Sequence, residues 1–174
     1  TAVQGKWYET GLTEWEYRDY GRTVTETKTI GGGVAQSMTT VSDWLGRPLE
    51  VTYPDNETLT YGYDALGRPD HLNSSSETAS LADLAYNALG QITSQTLGNG
   101  VLITNTYEAA TNRLEARAST GDLIDFAYDY DQAGNIEKII DGRLNETHEY
   151  RYDFLNRLIS ANAYASGNPG DIKY

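Results

Sequence analysis

The sequence predicts an all-β protein, an antiparallel up-and-down meander of β-hairpin repeats about 22 residues long. Three observations carry that expectation. A turn motif recurs at near-constant spacing, the composition suits strands and tight turns, and the residues leading into each turn alternate between apolar and polar. The chain has 14 tyrosines against 2 phenylalanines and 3 tryptophans, with 17 glycines. Such a mixture, with abundant threonine, favours pleated strands and turns over helices.

Taken in order, residues 1–38 read as degenerate leading strands or an earlier repeat. EYRDYGRTVTE from Glu16 is the weak echo, and GGGVAQ from Gly31 is either its return turn or a flexible break. Residues 39–174 read as the array proper. Its six turn motifs are SDWLGRPLEV from Ser42, YDALGRPDHL from Tyr63, YNALGQITSQ from Tyr86, YEAATNRLEA from Tyr107, YDQAGNIEKI from Tyr130 and YDFLNRLISA from Tyr152. The turn residue falls at Gly46, Gly67, Gly90, Asn112, Gly134 and Asn156, in steps of 21, 23, 22, 22 and 22. That regularity marks a repeat architecture.

Turn chemistry explains the motif. A hairpin on a type I turn wants Asp or Asn first, where the side chain caps the turn, and a residue tolerant of positive φ three positions on. Asp43, Asp64, Asn87, Asp131 and Asp153 fill the first role, and Gly or Asn fills the second in every copy. The fourth copy carries Glu108 and an extra residue before Asn112, which predicts a longer loop. A second set of turn signals lies between the first, at YPDNE, NSSSE, LGNG, STGD, IDGR and GNPGD, so each repeat is two strands joined by two turns.

Parity assigns the faces. One, three and five residues before the turn stand Tyr63, Tyr61 and Leu59; Tyr86, Leu84 and Ala82; Tyr107, Asn105 and Ile103; Tyr130, Tyr128 and Phe126; and Tyr152, Tyr150 and His148. All but Asn105 and His148 are apolar or aromatic, while the alternate set includes Thr60, Asp83, Thr104, Asp129, Glu149 and Arg151. The sheet is therefore expected to have one dry and one wet face. Successive copies lie two strands apart, about 9.5 Å, so their tyrosines must interleave with side chains of the intervening strand.

At 174 residues the chain is long enough for one ordinary domain with a buried core, and it reads as one unit. A net charge of −12, without a run of Lys and Arg, argues against nucleic-acid partners and anionic lipid. The absence of cysteine removes disulfides, thiolate catalysis and Cys-type zinc sites. No apolar run reaches the ~18 residues of a membrane span, and no signal peptide is visible. Thr1 stands where a Met would begin an open reading frame. Tyr174 stands 18 residues after Asn156, as Tyr152 does after Gly134, at the motif tyrosine of a seventh copy. The expectation is an excerpt of a longer array.

The pattern YxYDxxGRL at this spacing resembles the YD repeat of the Rhs family, which includes bacterial Rhs polymorphic toxins, shell components of insecticidal Tc toxins, wall-associated proteins and the teneurins. The resemblance covers residues 39–174 and rests on Asp43, Gly46 and Arg47; Tyr61, Tyr63, Asp64, Gly67 and Arg68; Tyr86, Asn87 and Gly90; and Tyr107, Asn112 and Arg113. It continues through Tyr128, Tyr130, Asp131 and Gly134; Tyr150, Tyr152, Asp153, Asn156 and Arg157; and Tyr174. What it implies is a segment of a spiral β-sheet or shell, secreted or on the surface of a bacterial cell. Its partners would be the remainder of the repeat shell and an enclosed C-terminal toxin domain. The other reading, from the adhesion branch of the family, is an extracellular adhesion or carbohydrate-binding module. No DPxG-type cleavage motif is present, so self-cleavage is not assigned to these residues.

No catalytic, metal or cofactor site is expected. DYDQAGNIE from Asp129 begins like an EF-hand loop, but Ala133 and Ile140 occupy ligand positions. His71 and His148 lie in different repeats without a cysteine partner. Among 25 acidic residues some pair will meet the spacing of a glycosidase by chance. The tyrosines share their face with Leu59, Leu84, Ile103 and Phe126, so packing is preferred to sugar stacking. Sequons at Asn56, Asn73 and Asn145 bear only on a eukaryotic secretory setting. The open edges of such a sheet also predict self-association.

Overall fold

The computed structural model describes residues 2–8 and 11–165, with side chains from residue 11 onward. Tyr174 and the GNPGD turn lie outside the described residues. The chain forms fifteen strands: β1 (Ala2–Tyr8), β2 (Gly11–Arg18), β3 (Thr23–Ile30), β4 (Gln36–Ser42), β5 (Pro48–Thr52), β6 (Thr58–Tyr63), β7 (Pro69–Ser74), β8 (Ala82–Tyr86), β9 (Ile92–Leu97), β10 (Leu102–Tyr107), β11 (Leu114–Ser119), β12 (Asp125–Tyr130), β13 (Ile136–Asp141), β14 (Glu146–Tyr152) and β15 (Leu158–Ala165). Helix is confined, among the described residues, to single 3₁₀ turns at Asp19–Gly21 and Thr120–Asp122.

Two compact units result, Thr1–Asp83 and Leu84–Tyr174, with the boundary inside β8. In each, sequence neighbours pair antiparallel and strand order is sequence order. The first unit has two clean rows of cross-strand partners. Tyr17, Val24, Thr40, Val51, Leu59 and Ser74 line up across β2 to β7, while Glu16, Thr25, Thr39, Thr52 and Thr58 form the adjacent row on the opposite face. Facing hydroxyls there pair directly, Thr25 with Thr39 at 3.0 Å and Thr52 with Thr58 at 3.2 Å. In the second unit, Tyr128, Ile139, His148 and Ala163 make a corresponding row.

The expectation of a buried core fails. Of the apolar side chains described, only Ile103 is buried, at 8% exposure. The reason is physical: every strand pairs with its sequence neighbours, so side chains on the tyrosine face are covered only laterally, from adjacent strands. Parity survives in weaker form. In β12, Phe126, Tyr128 and Tyr130 are half-buried while Asp125, Ala127 and Asp129 are exposed.

Candidate functional site

The Tyr-Asp turns of each unit lie along one border of its sheet, and their polar side chains close two sets of bonds, one within a turn and one between turns. The inner set is plainest at Asp64. Its Oδ1 accepts from the backbone N–H groups of Leu66 and Arg68, both at 2.9 Å, and its Oδ2 accepts from Arg68 Nε at 2.6 Å. The backbone closes beneath, with Asp64 N donating to Arg68 O and Gly67 N to Asp64 O, each at 2.9 Å. Asp43 and Asp153 repeat the arrangement with Arg47 and Arg157. Asn87 does so with Gln91, and Asp131 holds Asn135 through both the backbone and the carboxamide.

These donors settle the charge of the carboxylates. The backbone N–H of Arg68 holds the Asp64 carboxyl below the usual range, against desolvation and with help from the guanidinium. At Asp43 desolvation pulls upward but is outweighed by the Arg47 N–H, its guanidinium and the Leu45 N–H. The Asn135 carboxamide lowers Asp131, and the Arg157 guanidinium lowers Asp153. The Gly or Asn before the last residue of each turn has positive φ, from 58° at Asn112 and Asn156 to 96° at Gly134, where a side-chain-bearing residue other than Asn or Asp is strained.

The second set runs from repeat to repeat. In four of the turns the last residue is an arm that reaches the next turn on its C-terminal side. Arg47 Nη1 donates to Gly67 O at 3.0 Å, Gln91 Nε2 to Asn112 O at 2.7 Å and Arg113 Nη1 to Asp131 O at 3.2 Å. Asn135 Nδ2 reaches Asn156 Oδ1 at 3.0 Å. The guanidinium of Arg47 also lies 4.4 Å from the ring centroid of Tyr63, and that of Arg113 lies 5.4 Å from Tyr130. Gly67 is needed for this approach as well as for its φ, since a Cβ there would sit 2.6 Å from Arg47 Nη1.

The motif tyrosine answers in the opposite direction. Tyr63 Oη donates to Pro48 O at 2.7 Å, Tyr107 to Ile92 O at 2.8 Å, Tyr130 to Leu114 O at 2.8 Å and Tyr152 to Ile136 O at 3.0 Å. The strand registers explain these acceptors. Pairing of β5 with β6 stops at Glu50 and Thr60, β9 with β10 at Ser94 and Thr104, β11 with β12 at Ala116 and Ala127, and β13 with β14 at Lys138 and Glu149. Each acceptor carbonyl lies two residues beyond the last pair, where it faces no strand N–H. The tyrosine hydroxyl spans that gap and satisfies the carbonyl, which at Ile92 also accepts from Asn105 Nδ2 at 2.9 Å. A register shift immediately before each of these tyrosines re-aims its side chain.

Tyr61, Tyr128 and Tyr150 stand outside this network and fill the tyrosine face, Phe126 and Tyr128 with ring centroids 6.4 Å apart. Sequence reasoning missed Gln91 and Asn135 as arms. The available signal was a long or amide polar side chain at the last turn position of every copy, Arg47, Arg68, Gln91, Arg113, Asn135 and Arg157. Among the described residues no three His, Cys, Asp or Glu side chains converge as a metal site, and no helix is long and apolar enough to cross a membrane. His71 Nδ1 lies 2.6 Å from Asp70 Oδ1, and His148 Nε2 lies 3.8 Å from Glu146 Oε2.

A family model described as the RHS Repeat matches residues 45–76, the stretch that holds the Arg47 arm, the Tyr63 bridge and the Asp64 turn. That stretch carries an RHS repeat. Two toxin subunits of Yersinia entomophaga are similar to this chain. YenC2 is 35% identical over 97 residues, covering 45% of the chain and 10% of the relative; YenC1 is 32% identical over 116 residues, covering 56% and 12%. The chain thus spans about a tenth of the length of these relatives. Among solved structures, TcdB2-TccC3 matches with a TM-score of 0.70 over 89% of the chain at 23% identity. The Photorhabdus luminescens Tc holotoxin pore matches at 0.71 over 91% and 22% identity. Each match covers 9% of the solved chain, and at such identities the likeness concerns the fold.

Proposed function

We propose that this Rhs chain is a length of wall in a larger toxin component, a structural segment of a β-sheet shell that encloses a C-terminal toxin domain and helps deliver it. The observation that carries the reading is where the motif side chains spend their bonds. Arg47, Gln91, Arg113 and Asn135 reach the next turn, and Tyr63, Tyr107, Tyr130 and Tyr152 reach back to the preceding strand. Groups committed to holding neighbours together are unavailable as nucleophiles or general bases, which favours a mechanical role over catalysis. The similarity to toxin subunits of a bacterium supports the toxin context and a secreted or cell-surface location.

On this reading residues 39–174 are the repeat array, residues 1–38 are leading strands of an earlier copy, and the partners are further repeats of the same shell and the enclosed toxin. The decisive experiment expresses the full parent open reading frame and applies limited proteolysis with mass spectrometry. A protected, separately cleaved C-terminal fragment held in a resistant shell is the expected result. A single chain without any sequestered fragment would overturn encapsulation.

A further inference from the structure

The fourth Tyr-Asp turn is built differently from the others. It runs from Glu108 to Arg113, one residue longer, and closes its backbone through Glu108 N to Arg113 O and Asn112 N to Glu108 O, each at 2.8 Å. The inner clamp is gone. Glu108 turns its carboxylate onto the Thr111 hydroxyl, and Arg113 N has only Thr111 Oγ1, at 3.4 Å. At the Asp64 turn the carboxylate instead takes two backbone N–H groups and the guanidinium. Arg113 is therefore an arm without an anchor in its own turn, and it lies farther from its tyrosine ring than Arg47 does.

An open groove of about 480 Å³ lies beside this turn, lined by Glu108, Thr111, Arg113, Glu115, Tyr128 and Tyr130 among others. A turn whose side-chain cap is lost, beside an open groove and several carboxylates, has a lower cost of local opening than the capped Tyr-Asp turns. We infer that the Glu108–Arg113 turn is a built-in joint, the Tyr-Asp turn of the second unit that opens first while those on either side stay closed. The assignment is independent of what the wall encloses, because it rests on the contrast between turns of one chain.

Hydrogen exchange read by mass spectrometry on the whole chain tests it. Amides of residues 109–113 should exchange at least tenfold faster than those of residues 65–68 and 154–157, and brief thermolysin treatment should nick the chain first between Ala109 and Asn112. Combining Glu108→Asp with deletion of Ala110 restores the five-residue spacing of the other turns. That variant should slow local exchange about tenfold and lose the early nick. Equal protection of residues 109–113 and 65–68 in the unaltered chain would overturn the inference, as would unchanged exchange in a folded restored variant. Should the restored variant fail to fold, the comparison between turns of the unaltered chain still decides.

Discussion

Removing one hydroxyl tests the bridge at the centre of the repeat. In Tyr130→Phe the ring and its contact with Arg113 are kept, and only the 2.8 Å bond from Oη to Leu114 O is lost. Leu114 lies two residues past the last pair between β11 and β12, Ala116 with Ala127, so no strand N–H can take over that carbonyl. A net intramolecular hydrogen bond contributes about 0.5–1.5 kcal/mol, and an orphaned buried acceptor costs about 1–3 kcal/mol. The contact is only part-buried and water recovers some of the loss, so we expect destabilisation of about 1 kcal/mol. With a urea m-value of about 2 kcal/mol/M the midpoint falls by about 0.5 M, measurable by circular dichroism. Tyr128→Phe is the control: that hydroxyl makes no hydrogen bond among the described residues, although its ring fills the same face. An unchanged midpoint for Tyr130→Phe, or equal losses for both variants, would refute the bridging argument.

Three further outcomes follow from the turns and one close approach. Gly67→Ala should cost more than Gly46→Ala in a thermal melt. Both positions have positive φ, worth roughly 1 kcal/mol each, but only at Gly67 would the new Cβ meet Arg47, at 2.6 Å. The lowered carboxyls of Asp43, Asp64, Asp131 and Asp153 mean that the folded chain binds fewer protons than the unfolded one. Their stabilisation is complete above the unfolded carboxyl value of about 3.9 and is lost as pH falls below it through the folded values. Melting temperature should drop across that window, and Asp64→Asn should flatten the drop. Gly62 lies under the ring of His71, where a Cβ would come within 1.8 Å of Cε1. Gly62→Ala should therefore destabilise the wild-type background far more than a His71→Ala background, and equal losses in a double-mutant cycle would contradict the contact.

The turns and strands were legible in the sequence because their determinants are local. Asp or Asn at the head of a turn, Gly or Asn three positions on and alternation in the strand before it all act within one hairpin. Positions such as Asp64, Gly67 and Tyr63 could thus be placed at a turn without knowing what surrounds them. The Glu108 loop was visible as an insertion for the same reason.

Tertiary structure decided what those side chains do. Tyrosine at the motif position reads as packing, because parity reports a face and not the target of a hydroxyl. That target exists only because alternate strand pairs stop two residues short of the border and leave the carbonyls of Pro48, Ile92, Leu114 and Ile136 to side-chain donors. The arms were hidden for a related reason, since Arg47 and Gly67 are 20 residues apart and meet only once two hairpins lie side by side. Burial, too, was beyond local reasoning: alternation marks which face is drier, but how dry it becomes depends on a covering layer, and lateral neighbours alone leave the tyrosines half-buried.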